Sequence, residues 1–152
     1  MLAVGSKAPD FELENQTRGK VRLSDYRGRN NVVLAFHPLA FTPVCSAQMQ
    51  AYEKAADRFA ALDAVVFGIS LDAGPSKRAW AESLGISFDL LSDFHPHGRV
   101  ATAYGVMRKD GIAERAIFVV DRAGKIAWAK LHDIPEQPDL DVLIGELKKI
   151  LR

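Results

Sequence analysis

Apolar positions along the chain follow two periodicities. Val32-Val33-Leu34-Ala35-Phe36, residues 64–70 and residues 115–121 are short, continuous and β-branched, which predicts buried strands; 88–91 predicts a shorter one. Within 11–23, alternating runs flank Thr17-Arg18-Gly19-Lys20 and predict an N-terminal β-hairpin. Arg122-Ala123-Gly124 turns the late strand into 125–131 as a second hairpin. Elsewhere the spacing is helical. Cys45, Gln48, Tyr52, Ala55, Phe59 and Leu62 recur at intervals of three and four, behind Thr42 as N-cap and Pro43 at the first helical position. Residues 75–84 predict a helix closed by Gly85, and 97–104 a short one ended by Gly105. Asp139 caps a last helix with Leu140, Leu143, Ile144, Leu147 and Leu151 along one side, and Ser24 is placed as cap of a short turn through Tyr26.

Helices following strands imply a sheet covered on both faces, with hairpins adding antiparallel edges: an α/β domain spanning 1–152. Periodicity alone does not choose among mixed α/β folds. With 48% apolar residues the chain is globular, and 152 residues suffice to bury roughly 70% of the surface an unfolded chain exposes. Twenty basic against 19 acidic residues give no electrostatic support for a nucleic acid or membrane surface as partner. No apolar run approaches the ~18 residues of a membrane span, and the start lacks the pattern of a secretory signal. One cysteine forms no internal disulfide, which points to a cytoplasmic protein.

That cysteine, Cys45, falls in the first turn of a helix just past a strand. Unpaired N–H groups and about half a positive charge at a helix N-terminus favour an anion, and a thiol placed there tends towards thiolate, the nucleophilic form. A small buried apolar residue is the bland alternative for any lone cysteine. The four histidines lack metal-ligand spacing with it, so no metal site is expected.

The spacing Pro38-x-x-x-Thr42-x-x-Cys45, and Phe41-Thr42-Pro43-Val44-Cys45 within it, resembles the active-site motif of the peroxiredoxins. Ala8-Pro9-Asp10-Phe11, Leu91-Ser92-Asp93, Tyr104-Gly105-Val106 and Arg115 ahead of Phe118-Val119-Val120-Asp121 extend the likeness over nearly the whole length. Ser92-Asp93-Phe94-x-Pro96-His97-Gly98, with His37-Pro38-Leu39-Ala40-Phe41-Thr42, is most similar to the one-cysteine, AhpE-like branch.

The resemblance implies a thioredoxin-like sandwich and a thiol peroxidase. Hydrogen peroxide, organic hydroperoxides or peroxynitrite would oxidise Cys45 to a sulfenic acid. With no second cysteine, an external thiol would resolve it: a low-molecular-weight thiol, or a thioredoxin-like or glutaredoxin-like protein. It also implies roles. Arg115 points a cation at the sulfur, Thr42 adds a hydroxyl for thiolate and peroxide, and Pro38 shields the sulfur from water. Gln48 stands where the family restrains the arginine, and His37 where some one-cysteine relatives place a histidine that modulates the thiolate. No metal, haem or flavin cofactor is implied, and a homodimer is. His95 stands where this branch often carries a large aromatic residue; Tyr52, Trp80 and Phe94 read as core or interface. Two other classes remain open: a redox sensor or chaperone-like binding protein signalling through Cys45, and an interaction module with an inert buried thiol.

Overall fold

The computed structural model describes residues 1–151; Arg152, the last residue of the expected domain, lies outside them. Its strands are β1 (Glu12–Glu14), β2 (Lys20–Arg22), β3 (Asn31–Phe36), β4 (Ala64–Ser70), β5 (Asp89–Ser92), β6 (Arg115–Val120) and β7 (Ile126–His132). They form one seven-stranded sheet in the order β2-β1-β5-β4-β3-β6-β7. The three central strands β3, β4 and β5 run parallel, while β1, β6 and β7 pair antiparallel to their neighbours. The helices are α1 (Pro43–Lys54), α2 (Ala56–Ala61), α3 (Gly74–Leu84), α4 (Arg99–Ala103) and α5 (Leu140–Ile150). This is the thioredoxin-like arrangement of a mixed sheet between helices.

Alternation along the strands divides the interior into two cores. Val33, Ala35, Val66, Leu90, Ile117 and Val119 meet α1, α2, α3 and α5 on one face. Val32, Leu34, Phe36, Phe67, Ile69, Leu91, Phe118 and Val120 meet α4, the N-terminal segment and the hairpin on the other. Gly68 faces the first core, where a Cβ would stand 2.9 Å from Met49 Sδ and 2.8 Å from Leu90 Cδ2. Its bare backbone lets α1 settle close against β4.

Several local expectations shift. The long predicted helix breaks at Ala55 (φ −93°, ψ 11°) into α1 and α2, although all six residues of its predicted stripe are buried. Ser24 does not cap the 3-10 turn Leu23–Tyr26: Arg22 holds the cap position, and Ser24 N donates instead to Asp10 Oδ1. The helix expected over 97–104 starts only at Arg99, because Gly98 sits at φ 72°, and its first amides are capped from a distance by the Asp93 carboxylate, which accepts from Val100 N and Ala101 N. Leu151 lies past the end of α5 and is exposed, and Ile150 packs in its place. Phe94 is exposed and is not core.

Asp139 caps α5 as expected, accepting from Asp141 N at 2.9 Å and Val142 N at 3.4 Å. Asp139→Ala should lower the free energy of unfolding by about 1 kcal/mol with the denaturant slope unchanged, read from urea titrations.

Candidate active site

The sheet register assembles the site. Phe36 at the end of β3 pairs with Ala116 near the start of β6, so the chain leaving β3 and Arg115 emerge at one rim of the sheet. Arg115 shares the parity of Ile117 and Val119, which sends its side chain to the face that α1 covers. There the guanidinium meets Cys45: Nη1 and Nη2 each lie 3.4 Å from Sγ. Nη1 also donates to Gln48 Oε1 at 3.0 Å, and Nε to the Ile134 carbonyl at 2.9 Å. Gln48 Nε2 in turn donates to the Tyr52 hydroxyl at 2.9 Å, which orients its oxygen towards the arginine; burial pushes that phenol up to about 12, so it stays neutral.

Arg115 is 2% exposed, and none of its four hydrogen bonds goes to a carboxylate. A buried cation normally has an anion beside it. Among the atoms bonded here, the Cys45 sulfur is the one able to take that part.

Residues 37–42 join β3 to α1, and Ala40 packs in the same core as Cys45. Cys45 has no exposed surface and Pro38 is buried, while Leu39 and Phe41 face outward. Phe41 takes φ 65°, a left-handed turn that costs a side-chain-bearing residue roughly 1 kcal/mol and brings Pro43 round to begin α1. Thr42 occupies the N-cap position, but its hydroxyl does not cap the helix: it donates to the Leu39 carbonyl at 2.7 Å and makes no hydrogen bond to Cys45. The short reach back to Leu39 wins because the same loop turn carries that carbonyl over the hydroxyl. The oxygen keeps lone pairs to accept with.

His37 lies on the Arg115 side of the sheet, fully buried and not bonded to the sulfur. Its Nε2 accepts from Lys77 Nζ at 2.9 Å, which leaves the Nδ1 proton facing the Ala35 carbonyl at 3.2 Å. Lys77 also donates to Ser70 Oγ at 2.9 Å; Ser70 donates to Asp72 Oδ2 at 2.5 Å, and the same carboxylate oxygen accepts from Ala40 N at 2.9 Å. Lys77, Ser70 and Asp72 lie outside every motif of the sequence. A signal was there: Lys77, Trp80 and Ala81 share one stripe of α3, and all three are buried.

A lone thiol in the first turn of α1 on a thioredoxin-like sheet, against a buried arginine at the start of β6, is the arrangement of a thiol-peroxidase class of site. The chain belongs to the AhpC/TSA family, whose model matches residues 4–129. Over 140 residues it is 44% identical to alkyl hydroperoxide reductase E of Mycobacterium tuberculosis, covering 91% of this chain and 92% of that protein. A chloroplastic 2-cysteine peroxiredoxin of Chattonella marina is 33% identical over 98% of this chain and 80% of its own length. Among solved structures, peroxidoxin BcpB of M. tuberculosis superposes with TM-score 0.87 at 30% identity over 99% of both chains. Reduced 2-Cys peroxiredoxin of Plasmodium vivax does so with TM-score 0.89 at 27% identity, over 97% of this chain and 81% of that one. The protein is thus an AhpE-like peroxiredoxin homologue with a single cysteine, as the one-cysteine mechanism requires. No helix among the described residues is long and apolar enough to cross a membrane.

Burial, and then the charge of Lys77, hold His37 well below its ordinary 6.5 in the folded protein, with Arg115 adding to both and the Ala35 carbonyl opposing them. The unfolded chain takes up the proton that folded His37 refuses, so this contribution to stability is complete above pH 6.5 and is lost as pH falls below it. Its limiting slope is about 1.4 kcal/mol per pH unit. His37→Gln, which can still accept from Lys77, should show a correspondingly flatter loss of stability between about pH 6.5 and pH 5 in urea unfolding.

Proposed function

We propose that Cys45 is the nucleophile of a one-cysteine thiol peroxidase, with Arg115, Thr42 and Pro38 completing the reacting site and Gln48 and His37 supporting it. The observation that carries this reading is the buried Arg115 guanidinium, set with both terminal nitrogens against the sulfur and no carboxylate to neutralise it.

The thiolate attacks one oxygen of the peroxide. A sulfur–oxygen bond forms as the oxygen–oxygen bond breaks; the departing hydroxide or alkoxide takes up the proton that the thiol released on ionising and leaves as water or alcohol, and peroxynitrous acid releases nitrite. Cys45 is oxidised to sulfenic acid and the peroxide is reduced by two electrons. A first external thiol then condenses with the sulfenic acid and releases water. A second exchanges the mixed disulfide and restores Cys45.

Complete ionisation of an ordinary thiol raises the reactive fraction at pH 7 by about 30-fold at most, roughly 2 kcal/mol. A fast peroxidase needs more, and it comes from donors aimed at charge that develops on the departing oxygen. The two 3.4 Å contacts of Arg115 with the sulfur support this role for it. The Thr42 oxygen accepts from a peroxide hydroxyl, and amides at the start of α1 meet the oxygen under attack. Pro38 keeps bulk water from the thiolate, and Gln48 restrains the arginine without cancelling its charge.

The substrates are hydrogen peroxide, organic hydroperoxides or peroxynitrite, and the reductant is a low-molecular-weight thiol or a thioredoxin-like or glutaredoxin-like protein. A lone cysteine suits a reducing cytoplasm. One sheet running through all seven strands supports a single domain over 1–152. Exposed Leu39 and Phe41 in the loop before α1, with exposed Phe94, suit the homodimer expected from the sequence. Full burial of Cys45 favours one second reading, a peroxide-sensing switch in which oxidation is the signal and turnover is negligible.

The test is stopped-flow oxidation with several peroxides, followed by turnover with candidate thiols. Wild-type protein should outrun free cysteine by orders of magnitude, and Cys45→Ser should consume no peroxide while remaining folded. Arg115→Ala should lose about 2–4 kcal/mol of transition-state stabilisation, a rate loss between about 30-fold and about 10³-fold. A wild-type rate no faster than free cysteine refutes the enzyme reading, and fast oxidation without turnover selects the switch.

A further inference from the structure

Lys77 is completely buried, yet the chemistry just described leaves it idle. Its ammonium sits where three elements converge. From α3 it reaches His37, the first residue beyond β3, and Ser70, the last residue of β4. Each contact leads to the loop that joins β3 to α1. His37 is bonded directly to Pro38 along the chain, and its own amide is fixed to the Ile69 carbonyl at 2.9 Å. Ser70 donates a hydrogen bond to Asp72 Oδ2, which also accepts from Ala40 N.

We propose that Lys77 is a positioning residue for the peroxide reaction: through His37 and the Ser70–Asp72 pair it grips both ends of residues 38–40 above Cys45 and supplies a second positive charge to the back of the site. This rests on the thiol-peroxidase reading.

The pattern of donors requires a lysine-like group. Ser70 spends its proton on Asp72 and His37 spends its Nδ1 proton on Ala35, so both offer only lone pairs towards α3. His37 Nε2 has Lys77 as its donor and would be left unpaired without it, a cost of roughly 1–3 kcal/mol, while Ser70 Oγ would keep only the longer 3.4 Å bond from Asp72 N. The charged groups around it are few. Asp72 beyond β4 and Cys45 on α1 favour its charge, whereas His37 is uncharged and Arg115 faces the histidine from β6. Trp80 of α3 lies with its ring centroid 5.4 Å from Nζ, and its own Nε1 donates to Ser46 Oγ beside Cys45. Burial pushes the ammonium down to about 7, against the pull of Asp72 and Cys45, so its charge leaves near neutrality. With it goes the attraction that draws Asp72, and with Asp72 the Ala40 amide, inward.

Two readouts on one protein test this. In a Trp128→Phe background Trp80 is the sole tryptophan, and a charge over its ring should step its emission near pH 7. In the same interval the peroxide rate constant should fall by about ten-fold, opposite to the rise that thiol ionisation gives, since a cation is being lost. Lys77→Met should abolish both steps and hold the rate at its lower level from about pH 6 upward. Lys77→Gln, which keeps two N–H donors without a charge, serves where the methionine variant does not fold and should likewise show neither step. An emission step without a coincident fall in rate overturns the proposal, as does a variant that keeps the wild-type rate profile. Should wild-type protein leave peroxide untouched, the thiol-peroxidase reading fails. Iodoacetamide alkylation of Cys45 then decides for the grip alone: about ten-fold faster labelling of the Lys77 variants supports it, and equal labelling refutes it.

Discussion

A guanidinium held in the interior opposite a sulfur atom is the contact on which this molecule turns. Arg115 has two neutral oxygens and the Cys45 thiol for company, and no acidic side chain bonds to it. A permanently positive group in such surroundings is under constant demand for negative charge, and the sulfur is the atom able to answer. Under the proposed function, fold stability and reactivity are linked at one place. Whatever raises the share of sulfur anion also settles the arginine.

The sheet exists in the right form to make that contact. Antiparallel pairing of β3 with β6 brings the end of one strand beside the start of the other, so a loop, a helix start and a strand-borne cation share a rim although 70 residues separate Cys45 from Arg115. Parity then decides which face receives the arginine. α1 settles on that face because its own stripe is apolar and because Gly68 of β4 leaves room beneath Met49.

Much of this was legible in the chain. The strands of the centre announce themselves by continuous β-branched runs, and the stripe from Cys45 to Leu62 is buried as its spacing requires. Fold identity was not legible from periodicity; the resemblance carried it. Thr42 shows where local reasoning stops: its place in sequence marks a helix cap, but rotation about one bond hands its hydroxyl to Leu39. Ser24 was lost in the same way, to a carboxylate 14 residues upstream. The Lys77 cluster escaped notice because a lysine in a helix reads as solvated by default. Only its partners from β3 and β4, 40 and 7 residues away, make the interior hospitable to it.

Cys45 has no exposed surface, and this sets two unequal tasks on the proposed cycle. A peroxide needs room for two oxygens at the sulfur. A thiol reductant must bring its own sulfur to about 2 Å and, if protein-borne, its backbone within ~6 Å, so it asks for the wider opening. The depth at which the sulfur is set therefore bears harder on its regeneration than on its oxidation.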